Sequence, residues 1–166
     1  MNQLILYLFF VLTNWLPDNV KFIRLRGFLF GLCMKKSGKR LGIGRNVYIY
    51  NCKDLEVGDD VYIAYGTWIN ASGHIHIHDQ VLIGPYCALA STNHTYVESQ
   101  DSYRFGPSSG KKIVIERGAW LGAHITVTAG VTIAKASVIA ANSSVVKDTE
   151  PNSINGGVPS KRIKLT

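Results

Sequence analysis

Among the five histidines of this 166-residue chain, His94 has the neighbours of a working group. It closes Thr92-Asn93-His94 and precedes a segment that carries Tyr96, Glu98, Asp101, Tyr103 and Arg104. A neutral imidazole, with a free pKa near 6.5, can take the proton of an attacking hydroxyl, and such transfer typically contributes about 10²- to 10⁴-fold. The competing reading, a loop histidine with no role, stays open at this point. His74, His76 and His78 alternate with Ile75 and Ile77 and so share one strand face, a comb that could hold a metal or be an outward row with no ligand. His124 reads as structural or cleft-lining. Three cysteines, an odd number without paired spacing, argue against a disulfide scaffold and read as buried small hydrophobes in a reducing compartment.

The elements that must position these groups are written in a six-residue beat. Ile115, Leu121, Val127, Ile133, Ile139 and Val145 fall six apart, and four residues after each of the first five comes Ala119, Ile125, Val131, Ser137 or Ser143. That spacing fits neither a helix of period 3.6 nor a meander of period 2. It predicts an all-β solenoid, a parallel β-helix of hexapeptide repeats in which three short strands close one triangular coil. The beat recurs upstream at Ile43 and Ile49, at Val57, Ile63 and Ile69, and at Ile77, Ile83 and Leu89, with two-residue slips that read as enlarged corners. It is lost between His94 and Ile113, so residues 95–112 are expected to form one long extruded loop. Loops of that length in a compact domain are usually functional or disordered. The expected organisation is therefore an apolar and basic helical segment over 1–40, the β-helix over 41–150, and a C-terminal cap over 151–166.

The formal charge of +7 is concentrated near the N-terminus, in Lys21, Arg24, Arg26, Lys35, Lys36, Lys39, Arg40 and Arg45. Ahead of them, Leu4 to Leu12 is almost unbroken apolar sequence, too short to span a bilayer and without the basic flank or cleavage site of a secretion signal. One or two helices are expected here, lying on the β-helix or on an anionic membrane surface; the two are compatible. No nucleic-acid reader motif is visible, and a cytoplasmic location, with peripheral contact at the inner face of the membrane, is expected.

Ile83-Gly84, Thr92-Asn93-His94, Trp120-Leu121-Gly122, the run from Val127 to Ile133, Ser143 to Asp148, and Gly156-Gly157-Val158-Pro159-Ser160-Lys161 together resemble the hexapeptide-repeat O-acetyltransferases. The similarity is to the maltose, galactoside and nodulation-factor enzymes and to those of polysaccharide clusters, and it covers about Ile43 to Arg162. The resemblance implies a left-handed β-helix, a homotrimer with active sites between subunits, acetyl-CoA as donor, a carbohydrate hydroxyl as acceptor, and no required metal.

By the same resemblance His94 is the general base, the Ala123 amide donates to the oxyanion, and Trp120 shapes the cleft beside the catalytic histidine. Small residues including Ala141 and Ser143 would flank the pantetheine arm of the donor, and Lys147 and Lys161 would meet its phosphates. Two departures stand out: Ala140 and Asn142 replace glycines, and Ala64 replaces the sugar-holding Asn of the galactoside and maltose branch. The first alters how closely the donor can approach the backbone; the second, with an N-terminal helical region less polar than that branch carries, favours an acceptor from polysaccharide or glycolipid biosynthesis over a free disaccharide. N-acetylation of an amino sugar or an antibiotic would use the same base and donor. A non-catalytic assembly module is a further reading. A zinc hydratase of the γ-carbonic anhydrase type, built on the same scaffold, would require a histidine pair near the loop, and His94 has no such companion.

Overall fold

The computed structural model describes residues 3–166. Three sheets of five, seven and five strands, parallel except for the final strand pair of the second, stack as five coils and the start of a sixth. The first face carries Lys36–Ser37, Leu55–Val57, Ile75–Ile77, Ile113–Ile115 and Thr132–Ile133. The second carries Gly42–Ile43, Tyr62–Ile63, Leu82–Ile83, Trp120–Leu121 and Val138–Ile139, and the third Tyr48–Tyr50, Trp68–Asn70, Ala88–Ala90, Thr126–Val127 and Ser144–Val145.

The register turns the beat into columns. Val57, Ile77, Ile115 and Ile133 stack on the first face; Ile43, Ile63, Ile83, Leu121 and Ile139 on the second; Ile49, Ile69, Leu89, Val127 and Val145 on the third. Every one of these side chains is at most 1% exposed. Burying such a column removes apolar surface from water at about 25 cal/mol per Å2, which makes it the chief support of the stack.

The two slips are corners, as the spacing implies. Asn51 (φ 59°) opens a 3-10 turn over Cys52–Asp54, and His74 (φ 67°) closes the next, both between the third face and the first. The long insertion leaves from that same corner. It is not irregular: Thr92–His94 pairs antiparallel with Ser108–Gly110, setting His94 opposite Ser108. Farther out Val97 N–H donates to Ser102 O at 2.9 Å, and the Tyr96 and Tyr103 rings lie 5.1 Å apart.

Adjacent coils exchange hydrogen bonds in both directions, as in Gly42 N to Val61 O and Gly44 N to Ile63 O one way, and Asp60 N to Lys39 O and Gly66 N to Arg45 O the other. Those polar groups of the first coil that point away from the stack must be satisfied from outside. Two helices cover this end: α1 (Gln3–Thr13) and α2 (Val20–Gly31), the latter capped by Asn19 Oδ1, which accepts from Phe22 N at 3.1 Å. Arg26, 1% exposed, reaches from α2 to Ile43 O, with Nε donating at 2.8 Å. Leu6 and Phe30 close the apolar column from below.

Gly27 lets α2 approach, since a Cβ there would lie 2.0 Å from Leu41 O. Gly27→Ala should force the helix off the coil and lower stability by about 1–3 kcal/mol, read from urea unfolding. An unchanged midpoint would show that α2 does not bear on the first coil.

At the other end Ser153–Gly156 extends the second face beside Val138–Ile139 and pairs antiparallel with Lys161–Leu165. The three cysteines are free and buried. Burial, with neighbouring Cys33 adding to it, pushes the Cys52 thiol up to about 11.

Candidate active site

The expected site residues divide between two corners of the stack. Ala123 lies between the second and third faces in the fourth coil, and Ala141 and Ser143 occupy the same corner one coil later, where Asn142 N donates to Ala123 O at 2.9 Å. Strand spacing puts the two levels about 5 Å apart. The amides of Ala123 and Ala141 have no hydrogen-bond partner among the described residues, although their neighbours Gly122 and Asn142 donate along the stack. Two unengaged N–H groups on one rigid edge suit a developing oxyanion or an amide-bearing ligand.

The C-terminal turn packs on this corner. Gly157 N donates to Ser143 Oγ at 3.1 Å, Ser144 N to Gly157 O at 3.1 Å, and Ser160 N to Ser144 O at 2.8 Å. Lys161 follows directly, which places a cation at the edge of the Ala141 and Ser143 level. Trp120, half exposed, projects outward from the second face three residues before Ala123, stacked between Leu82 and Val138.

His94 is elsewhere. It ends the first strand of the extruded ribbon, at the corner between the third and first faces. Its imidazole is exposed and has no hydrogen-bond partner among the described residues. Lys147 shares that corner farther along the stack, just before Asp148 Oδ1 accepts from Thr132 N at 2.7 Å. Within one chain, then, the third face separates His94 and Lys147 from Ala123, Ala141, Ser143 and Lys161. Six residues of extended chain bound that separation at about 20 Å. Asp101 does not orient His94, because it accepts from the Tyr96 hydroxyl, a bond that raises the Tyr96 pKa.

The histidine comb is local packing. His76 and His78 stack at 4.1 Å, and burial, followed by the His78 and Lys112 charges, lowers the His76 pKa. His74 turns toward Asp54, with Nδ1 3.7 Å from Oδ1. No group of three His, Cys, Asp or Glu side chains converges among the described residues.

One feature escapes the sequence. Along the corner of Ala123, a row of aromatic rings climbs from the first coil: the Arg45 guanidinium 5.8 Å from the Tyr65 centroid, Tyr65 and Tyr86 edge to face at 5.3 Å, Tyr86 and His124 stacked at 5.0 Å. Tyr86 and His124 hold φ of 57°, an uncommon conformation for bulky residues. Asn46 and Asn142 hold φ of 57° and 60° at the same corner. Their aligned spacing across the coils was the available signal. Ala64 lies beside this row, nearly buried.

No family model matches the chain. Among curated proteins it is 31% identical over 127 residues to the galactoside O-acetyltransferase of Escherichia coli K12, covering 76% of this chain and 62% of that protein. It is 32% identical over 124 residues to the galactoside O-acetyltransferase of Lactococcus lactis, covering 70% and 59%. The protein assigned as the colanic acid biosynthesis acetyltransferase WcaF of Escherichia coli is 29% identical over 150 residues, with 90% and 79% covered. The chain thus spans about three fifths of the length of the two galactoside acetyltransferases. Among solved structures, a hexapeptide-repeat acetyltransferase of Vibrio cholerae complexed with acetyl-CoA superposes with a TM-score of 0.84 at 26% identity, covering 96% of this chain and 84% of that one. A galactoside acetyltransferase in complex with coenzyme A gives 0.86 at 27% identity, covering 98% and 80%.

Proposed function

Because the chain belongs to the hexapeptide-repeat acetyltransferase family, we propose that it transfers an acetyl group from acetyl-CoA to a carbohydrate hydroxyl, with His94 as general base. The observation that carries this reading is the pair of unengaged amides at Ala123 and Ala141 on one corner, with a free imidazole at the other end of the same face. A thioester carbonyl placed at the Ala123 amide would develop its negative charge against a fixed donor. Small side chains at Ala141 and Ser143 leave the edge open to an extended arm, and Lys161 stands where its phosphates would pass; Lys147 would meet them from the opposing corner.

The reaction requires both corners in one cleft, and a trimer supplies that. If the third faces of three copies turn toward a common axis, the His94 corner of each copy meets the Ala123 corner of the next. This closed cyclic arrangement repeats one contact three times and makes three equal sites. The third face is suited to burial, since Tyr48, Tyr50 and Trp68 stand 40–49% exposed on it beside the small Ala88 and Ala90. Trp120 of the second copy would then wall the cleft beside His94 of the first.

The acceptor is assigned to the carbohydrates of polysaccharide or glycolipid assembly. The Ala64 side chain offers no polar atom to a galactoside, whereas the Tyr65, Tyr86 and His124 rings offer a stacking surface on the approach to Ala123. A reaction on such an intermediate fits a location at the cytoplasmic side of a membrane. The test is acceptor-dependent thiol release from acetyl-CoA across sugars, amino sugars and lipid-linked saccharides. Turnover on hydroxyl acceptors supports the reading. Turnover confined to amines would make the chain an N-acetyltransferase, and CoA binding without any turnover would leave it an assembly module.

A further inference from the structure

The helical cap presents a surface that the acetyl-transfer site does not use. On α1 and in the turn that follows it, Leu4, Tyr7, Leu8, Val11, Leu12 and Trp15 stand 47–74% exposed, with no charged residue in the helix. On α2, Val20, Leu25, Phe28 and Leu32 continue the apolar surface at 40–72% exposure, interleaved with Lys21 and Arg24. Large apolar side chains exposed in such number on one element pair mark an interaction site. Because α2 packs on the first coil and α1 on α2, the helices close that end of the stack.

The charge beside this face narrows its occupant. A groove between α2 and the first coil is lined by Arg24, Phe28, Lys35, Lys36, Lys39 and Arg40. Lys35 and Arg40 are engaged by Glu56 and Asp60, but Lys21, Arg24, Lys36 and Lys39 form no ion pair among the described residues. Within residues 1–53 the only acidic residue is Asp18, and Arg26 and Arg45 occupy it. An apolar patch flanked by unpaired cations and no free carboxylate complements lipid tails beneath anionic headgroups. No helix among the described residues is long and apolar enough to cross a membrane, so the contact is superficial.

We infer that the outer face of α1 and α2 docks the protein on an anionic membrane surface. The inference deepens the proposed function by making a membrane-borne acceptor available to the site, and it does not require the enzyme to be active. In a cyclic trimer all three caps lie at the same end, so one flat surface engages them together.

The experiment is sedimentation of the full chain with vesicles of phosphatidylcholine alone and of phosphatidylcholine with phosphatidylglycerol in equal amounts. Binding to the mixed vesicles only, declining as salt is raised, is expected. Lys21→Gln with Arg24→Gln should weaken it by about 30-fold, and Leu8→Ser with Leu12→Ser should also reduce it. All four positions are exposed, so circular dichroism and turnover on a soluble acceptor should stay at the native level. Equal binding to both vesicle types, no binding to either, or indifference to both variant pairs overturns the proposal. So does a fall in solution mass of Leu8→Ser with Leu12→Ser, without vesicle binding by the native chain, which would assign the face to a second copy. Vesicle binding and soluble-acceptor turnover are separate readouts, so loss of one reading leaves the other decidable.

Discussion

His94→Ala should lower acceptor-dependent acetyl transfer by about 10²- to 10⁴-fold while leaving CoA affinity close to native. The two halves of that result have different origins. Proton removal happens only as the carbon–oxygen bond forms, so its loss falls on turnover and not on ground-state binding. The donor is proposed to lie along the Ala123 and Ala141 corner of a neighbouring copy, out of reach of the His94 ring of its own chain. Mixing His94→Ala with an inactive variant of the other corner, such as Ala123→Pro, should restore some activity after subunit exchange, because hybrid assemblies regain one complete cleft. A variant as active as the native chain would remove His94 from the mechanism, and hybrids that stay inactive would count against the shared cleft.

Arg26→Ala should be the most damaging single change to stability outside the aliphatic columns, lowering it by about 3–5 kcal/mol. Arg26 is buried and donates to Ile43 O at 2.8 Å, to Thr13 O and Leu16 O at 3.2 Å each, and to Asp18. Burial lowers its pKa and Asp18 opposes that shift, and an arginine under these conditions remains charged. Truncation would leave Ile43 O and Leu16 O without their Arg26 donor, Thr13 O with the Leu16 amide alone, and Asp18 with Arg45, whose amide donates to it at 3.0 Å and whose Nε stands 3.7 Å away. At this chain length the loss corresponds to a fall in Tm of about 6–20 °C by calorimetry. Exposed Lys21→Ala and Arg24→Ala should stay within about 0.5 kcal/mol of native. If Arg26→Ala matches them, the cap is not held by this side chain.

Arg26 also shows where sequence reading stops. In the chain it is one of several cations among apolar residues, and nothing in its spacing separates it from Lys21 or Arg24. Only the fold singles it out, by bringing Ile43 O, Thr13 O, Leu16 O and Asp18 around its guanidinium. The columns were legible because an aliphatic at each sixth position has one physical explanation, and the slips at Val57 and Ile77 became corners for the same reason. Lys36–Ser37 belongs to the first coil without contributing to the beat, since Ser37 pairs with Val57 beneath the helical cap and needs no aliphatic. The ribbon from Thr92 to Gly110 was recognisable as an excursion but not as paired strands, because Thr-Asn-His and Ser-Ser-Gly carry no alternation of apolar and polar residues. The site residues were named one by one, yet their division between two corners follows from the coil geometry and from no motif.

All three departures from six-residue spacing fall at the corner between the third face and the first. Lengthening a coil there leaves the ladders above and below intact, because the added chain turns outward and the next strand rejoins its register. The closure entropy of such an insertion grows slowly, by about 0.6 kcal/mol for each doubling in length. The scaffold and the ribbon that bears His94 can therefore diverge at different rates, with acceptor range changing by exchange of a surface cassette while the column of Ile, Leu and Val is inherited unchanged.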